Sequence, residues 1–217
     1  MQKKNIVIFG NGGHAKVVAE VIKQENKFSI SHFVVDHELN DISHTNVISE
    51  KLLDLSFIKS HKIYGGIIAV GSNTKRREIS KKINRIFKNF IFITTVHPTA
   101  IISKGSFIGH GTVVMPNALI NPDVVIKDHC VINSGCIVEH DCLINSFTSI
   151  APGAILGGSV MLGEESYVGI GAVVSNNLSI CKKTILGAGS VTVKSIKKSG
   201  VYIGVPSKLD KKVNRCK

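Results

Sequence analysis

The sequence is short of acidic residues, of aromatic residues and of long apolar runs, and each shortage removes a class of protein. Fifteen Asp and Glu stand against 27 Lys and Arg, a formal charge of +12 at pH 7. Such a balance suits an anionic partner, whether nucleic acid or a phosphorylated small molecule. Aromatic residues make up only 6% of the chain and no nucleic-acid recognition motif occurs, so nucleic acid is set aside. No apolar stretch approaches the length of a membrane-spanning helix. The short run Ile6-Val7-Ile8-Phe9 is broken at once by Gly10-Asn11-Gly12-Gly13, too soon for the core of a secretory leader. The expectation is a soluble cytoplasmic protein with no membrane insertion. The cysteines agree, being five in number with no Cys-x-x-Cys pair. An odd count argues against a disulfide framework, and the missing pair argues against a zinc ribbon.

What the chain has instead is a repeat. From Ile102 every sixth residue is aliphatic, through Ile108, Val114, Ile120 and onward to Leu186 without an insertion. Neither a helix nor a simple strand gives that period. Four residues after each aliphatic lies a mostly small residue, as at Thr112, Ala118, Cys130, Cys136, Cys142 and Ser166. The residue just after the aliphatic is often Gly or Asn, as at Gly109, Asn121, Asn133 and Gly157. A left-handed parallel β-helix accounts for all three registers. Each hexapeptide is a short strand plus a corner, and three make one triangular coil. The aliphatic fills the interior, the small residue lets the walls approach, and Gly or Asn takes the backbone conformation of the corner. Five coils at roughly 4.8 Å each predict a prism on the order of 24 Å tall. Cys130, Cys136 and Cys142 fall in the small inward register and are read as wall-packing residues rather than ligands or nucleophiles.

Residues 1–97 follow a different grammar. Asn5 to Phe9 reads as a buried strand, followed by a glycine turn and an apolar helix pattern at Val17, Val18, Val21 and Ile22. Further strands are expected at Phe33–Asp36, Ile67–Gly71 and Phe90–Val96, with a basic helix over Arg76–Phe87. Strands alternating with helices imply a small parallel, Rossmann-like α/β sheet. Gly10-Asn11-Gly12-Gly13-His14-Ala15 fits G-x-G-x-x-A, and Asp36 lies where a ribose-binding acid would stand. Such a turn aims backbone N–H groups and a helix N-terminus at phosphate, so a nucleotide diphosphate is the expected ligand. The division expected is 1–97 for nucleotide-sugar binding, 98–207 for the β-helix and 208–217 for a basic tail.

A glycine-turn α/β domain followed by a hexapeptide prism resembles the PglD/NeuD-type sugar acetyltransferases. The residues that carry the resemblance are Gly10-Asn11-Gly12-Gly13-His14, Ala69-Val70-Gly71-Ser72-Asn73, His97-Pro98, Val138-Glu139-His140-Asp141 and Gly200 to Pro206. The resemblance implies a cytoplasmic homotrimer that moves acetyl from acetyl-CoA, as co-substrate and without a metal, to the amino group of a nucleotide-linked sugar. The closing segment and the Glu-His-acid triplet are most like the bacillosamine-pathway enzymes, which act on UDP-linked 4-amino sugars. It further implies His140 as general base and Asp141 as the residue that raises its basicity and orients it. The sugar nucleotide would be held at Asn11, Gly12, Gly13, His14, Asp36 and Gly71. Acetyl-CoA would be held at Ser149, Ile170 and Ala188, with Ser149 standing where the family often has a second histidine.

His140 also speaks for itself. It lies in neither inward register, has an acid on each side, and an imidazole suits proton abstraction near neutral pH. Read without the family, an exposed surface histidine on a polar corner is the simpler account. A sialic-acid O-acetyltransferase is the alternative activity. Further rivals are a prism-fold zinc carbonic anhydrase using His110, His129 and His140, a non-catalytic nucleotide-sugar-binding protein, and an NAD-dependent enzyme.

Overall fold

The computed structural model describes residues 3–36 and 46–210, which fall into two compact units meeting in sequence at Pro98 and Thr99. The first unit is a four-stranded parallel sheet. Its elements are β1 (Lys4–Phe9), α1 (Gly13–Glu25), β2 (Phe28–Val35), β3 (Val47–Ser49), α2 (Leu55–Ser60), β4 (Ile63–Ile68) and α3 (Asn73–Ile86), and the strand order is β3-β2-β1-β4. β1 is buried on both faces, which is why it reads as an unbroken apolar run. Val7 and Phe9 pack with Ile83, Phe87 and Phe92, while Ile6 and Ile8 alternate to the opposite face. α1 buries Ala15, Val18, Ala19 and Ile22, a helical stripe at the spacing i, i+3, i+4, i+7.

Two elements here were absent from the sequence reading, the short strand β3 and helix α2. α2 is capped by Asp54, whose carboxylate accepts from the Phe57 N–H at 2.7 Å. The strand expected over Phe90–Val96 is mostly an extended segment. It joins β4 by a single bridge between Phe92 and Gly66, and only Thr95–Val96 is strand.

The second unit is the left-handed parallel β-helix that the hexapeptide period implies. Two-residue strands recur every six residues from Ile101–Ile102 to Val191–Thr192, and each as far as Val173–Val174 pairs in parallel with the strand eighteen residues on. Three faces result. One runs through Ile101, Leu119, Ile137, Ile155, Val173 and Val191, the next through Phe107, Val125, Leu143, Met161 and Ser179, and the third through Val113, Val131, Ser149, Tyr167 and Ile185. The interior aliphatics from Val114 to Leu186 are at most 2% exposed, whereas Ile102 and Ile108 are half-buried. Val201–Ile203 extends the third face, and Lys208–Leu209 pairs antiparallel with it. These two residues were expected to begin a basic tail; 211–217 lie outside the described residues.

The corner chemistry corrects the expectation. Left-handed φ falls three residues after each interior aliphatic, at Gly105, Gly111, Asn117, Asp123, His129, Gly135, Asp141 and so on to Gly189. The Gly or Asn directly after the aliphatic serves close approach instead. A Cβ at Gly157 would stand 2.6 Å from the backbone nitrogen of Asn176, and one at Gly163 2.3 Å from that of Lys182, in the next coil. Where Asn stands, its side chain can bond the backbone of the next coil, as Asn145 Nδ2 does in donating to the Leu162 carbonyl at 2.8 Å.

The small inward register has a task beyond size. Thr112, Thr148 and Ser166 donate their hydroxyls to the carbonyls of Lys127, Gly163 and Cys181 at 3.0, 3.2 and 3.0 Å. The thiols of Cys130 and Cys142 reach the carbonyls of Asn145 and Gly157 at 3.3 and 3.2 Å in the same way. The cysteines therefore satisfy corner carbonyls as Ser and Thr do. Burial raises the Cys136 thiol to about 12 and raises that of Cys142 too, so neither is poised as a nucleophile.

Leu156, fully buried in the middle of its column, tests the packing. Leu156→Ala should cost about 2–5 kcal/mol in denaturant unfolding. Lys104→Ala, at an exposed corner, should stay within about 0.5 kcal/mol.

Candidate functional site

In the first unit β1 lies between β2 and β4, so the chain leaves β1 toward one side and returns on the other. The carboxyl ends of the strands part at such a switch point, where α/β sheets leave room for a ligand. A cavity of about 370 Å³ opens there. Phe9 and Gly10 line it from β1, Val34 to Asp36 from the end of β2, and Ala69 to Gly71 from the end of β4. Asn11, Gly12, Gly13 and His14 close it at the start of α1. All six residues expected to hold a nucleotide thus border one cavity. Gly10 adopts φ +116°, and a Cβ there would press to 2.8 Å from the Ala69 carbonyl, so the turn admits no side chain. Beyond Gly12, Gly13 and Gly71, in contrast, a Cβ would meet nothing within 4 Å. The glycines leave open space where the N-terminus of α1 presents its N–H groups, a geometry that suits an anion.

Two features of this cavity were missed in the sequence. Lys75 and Glu50 also line it, and Glu50 is ion-paired with Lys82. Arg76, only 1% exposed, clamps the turn after β4 by donating to the carbonyls of Val70 at 2.9 Å and Gly71 at 3.3 Å and to Asn73 Oδ1 at 2.8 Å. The second strand–Gly-Ser–helix turn at 70–76 was the available signal.

His14 is held neutral. Burial first, and the Arg76 charge second, lower its pKa from 6.5 to about 4, and its Nε2 is buried with no hydrogen-bond partner. An unpartnered buried nitrogen bordering a cavity is positioned to bond a ligand.

In the second unit, Glu139-His140-Asp141 forms the corner between the first and second faces. The corner is fixed from both sides, with Asp141 N–H donating to the Pro122 carbonyl at 3.2 Å and Ser159 N–H to the His140 carbonyl at 2.9 Å. Adjacent side chains of an extended strand point to opposite sides. Asp141, however, takes φ 59°, and its carboxylate turns back to the preceding ring, where Oδ2 accepts from His140 Nδ1 at 2.7 Å. Both side chains are more than half exposed. The bond to Asp141, aided by the charges of Asp141 and Glu139, raises the imidazole pKa above its ordinary 6.5. With Nδ1 committed as donor, Nε2 is the acceptor in the neutral ring.

The residues expected to hold acetyl-CoA stand elsewhere on the prism. Ile170 and Ala188 stack at the corner between the third and first faces, joined by Gly189 N–H donating to the Ile170 carbonyl at 2.8 Å, and Ile170 is 58% exposed. Ser149 lies on the third face, 4% exposed, its N–H donating to Ser166 at 3.0 Å. One chain therefore does not bring these three to His140. Among the described residues no group of three or more His, Cys, Asp or Glu side chains converges to hold a metal. Within one chain His110, His129 and His140 do not converge, and His129 stacks on Phe147 at 4.9 Å. Among the described residues no helix is long and apolar enough to cross a membrane.

A hexapeptide prism with an exposed His–Asp pair on a rigid corner, after a glycine-turn α/β unit, defines a hexapeptide-repeat transferase. Residues 5–83 match the model of the PglD N-terminal domain, and residues 105–140 match that of the bacterial transferase hexapeptide of six repeats. The chain is similar to PerB from Caulobacter crescentus, solved in complex with CoA and GDP-perosamine. The two are 32% identical with a TM-score of 0.87, and the likeness covers 95% of this chain and 97% of that one. It is similar also to the acetyltransferase domain of PglB from Neisseria gonorrhoeae FA1090, at 33% identity and TM-score 0.86, covering 95% of this chain and 100% of that one. That domain has been solved with acetyl coenzyme A as well. UDP-N-acetylbacillosamine N-acetyltransferase of Bacillus subtilis (strain 168) is 33% identical over 117 residues, 52% of this chain and 51% of that enzyme. The chain thus spans about half the length of that curated relative in the match. It belongs to the PglD-type family of hexapeptide-repeat sugar acetyltransferases.

The depressed pKa of His14 has a consequence for stability. The unfolded chain takes up a proton as pH falls below 6.5, while the folded protein resists until about 4, so folding is disfavoured progressively across that interval. In the absence of ligand, His14→Gln should reduce the loss of stability between pH 6.5 and 4. Urea unfolding at several pH values reads this directly.

Proposed function

We propose that the protein is an acetyl-CoA-dependent N-acetyltransferase whose acceptor is the amino group of a nucleotide-linked sugar, with a UDP-linked 4-amino sugar as the particular substrate. The observation that carries this reading is the His140 Nδ1 to Asp141 Oδ2 bond of 2.7 Å on an exposed corner. It leaves Nε2 available as a base in a family whose relatives include a UDP-N-acetylbacillosamine N-acetyltransferase and a protein bound to CoA and GDP-perosamine.

A sugar amine is mostly ammonium at neutral pH and attacks only once deprotonated. As its nitrogen bonds to the thioester carbonyl carbon, His140 Nε2 takes the proton that the nitrogen must shed. The C–S bond then breaks, and the sulfur leaves as thiolate and is protonated to the thiol of CoA. Asp141 fixes the tautomer and stabilises the imidazolium. In the first unit the sugar nucleotide sits at the switch-point cavity, its diphosphate at Gly12, Gly13 and the start of α1, with His14, Asp36 and Gly71 as further contacts.

Acetyl-CoA is assigned to Ser149, Ile170 and Ala188 in a groove completed by a neighbouring copy, and the assembly is a homotrimer. Support comes from the first face, whose outward residues Ile101, Leu119, Ile137, Ile155, Val173 and Val191 are all aliphatic, with Ile101 63% exposed. Such a face suits burial against a second prism. The separation of Ile170 and Ala188 from His140 along one chain supports it too. A cytoplasmic location accords with nucleotide-sugar and acetyl-CoA substrates.

Turnover is measured as thiol release from acetyl-CoA with UDP- and GDP-linked amino sugars. His140→Ala should lower it about 10²- to 10⁴-fold while both substrates still bind. Retention of near-normal turnover would remove His140 from the base role. A base must be unprotonated to act, so activity should fall as pH drops through the raised His140 pKa. Asp141→Asn should move that limb to lower pH and lower the plateau less than His140→Ala does. Gly12→Val should preserve the fold, since nothing stands within 4 Å of its Cβ, yet weaken sugar-nucleotide binding and leave acetyl-CoA affinity unchanged in calorimetry. Tight NAD binding with none for any sugar nucleotide would contradict the ligand assignment. Light scattering should give three times the chain mass, and an active monomer would contradict the trimer.

A further inference from the structure

We infer that Gly158 is a positioning residue for His140: its missing side chain is the slot in which the imidazole lies. The inference rests on the assignment of His140 as base and deepens it. Gly158 stands eighteen residues after His140, at the same corner one coil on. A Cβ built there would lie 2.7 Å from both Cε1 and Nε2 of His140 and 3.3 Å from Cδ2, and these ring atoms are its three nearest neighbours. The ring therefore rests edge-down on the backbone of the next coil, with Nε2 beside Gly158.

No backbone strain at this position asks for glycine. Gly158 is not among the residues with left-handed φ, so its backbone accepts any side chain. Residues two places after each interior aliphatic occupy this register throughout the prism. At the same corner they are Lys104, Pro122, His140 and Asn176, and at the others they include His110, Pro116, Asp128, Ser146, Glu164, Lys182 and Ala188. Glycine occurs in this register only at 158, directly above the catalytic ring. The neighbouring Gly157 is explained differently, since its Cβ would strike the backbone of Asn176.

A methyl at 158 displaces the ring rather than the coil, because the imidazole is exposed and the backbone around it is bonded on both sides. Swinging the ring outward draws Nδ1 from Asp141 Oδ2 and moves Nε2 from its place. A displacement of this order at a reacting group costs about 10- to 100-fold in rate.

The test is Gly158→Ala, made alone and together with His140→Ala. Expected for the single variant are a melting temperature equal to or above the parent's, unchanged binding of CoA and sugar nucleotide, and turnover lowered about 10- to 100-fold. The His140 pKa read by NMR should fall toward its ordinary value as the Asp141 bond weakens. In the His140→Ala background the same substitution should change turnover no further. Unchanged turnover with an unchanged His140 titration would overturn the inference. So would an equal loss in both backgrounds, because Gly158 would then act on something other than the ring. If His140→Ala itself keeps full turnover, the base assignment falls, and the NMR titration of Gly158→Ala still decides whether the glycine holds the ring.

Discussion

From His129 to Gly189 the residue three places past each interior aliphatic turns through left-handed φ and gives its N–H to a carbonyl of the coil before. Asp141 donates to Pro122, Ser159 to His140, and Asn177 to Gly158. That repeated bond fixes the height of each coil, the parallel pairing of the faces and the stacking of the aliphatic columns. For a residue with a side chain the conformation costs about 1–2 kcal/mol. Asp141, Phe147, Glu165 and Lys183 all adopt it, and the hydrogen-bond ladder and interior packing offset the cost. The His140–Asp141 pair is one instance of the same corner. It needs no special loop, only a histidine at one corner position and an aspartate at the next, where left-handed φ turns the carboxylate onto the ring.

Two histidines show how environment divides labour within one chain. His14 is half-buried beside Arg76 with its Nε2 enclosed, so both desolvation and a like charge disfavour its cation, and it stays neutral. His140 is exposed and bonded to a carboxylate, so its cation is favoured. The first suits hydrogen bonding to an uncharged group in the switch-point cavity. The second suits a proton that must be taken up and released during turnover.

The hexapeptide period and the glycine turn were legible because both are local. Interior filling dictates an aliphatic every six residues, and the turn after β1 cannot carry a side chain at Gly10. The strand run and the helix stripe of α1 announced themselves for the same reason, whereas the Glu-His-Asp triplet stood out only through the family resemblance. What escaped notice depends on contacts between distant residues. The glycine after each aliphatic was read as a corner conformer, yet Gly157 and Gly163 are close-approach positions facing the next coil. The cysteines were read as wall filling, yet Cys130 and Cys142 bond carbonyls fifteen residues away. Arg76 reads as one charge of a basic helix and proves to be a buried clamp. Gly158 gains meaning only when the eighteen-residue stacking sets it against His140.

The proposed role of this corner is the delivery of acetyl to a nitrogen. The most direct measurement is the chemistry of the product formed from acetyl-CoA and a nucleotide-linked amino sugar, followed by mass before and after mild alkali. The account predicts one added acetyl group that survives the alkali, as an amide does. An acetyl group lost under those conditions would identify an ester and place the acceptor among hydroxyls, as in sialic-acid O-acetylation. No acetylated product from any amino sugar, despite binding of both substrates, would contradict the enzymatic reading altogether.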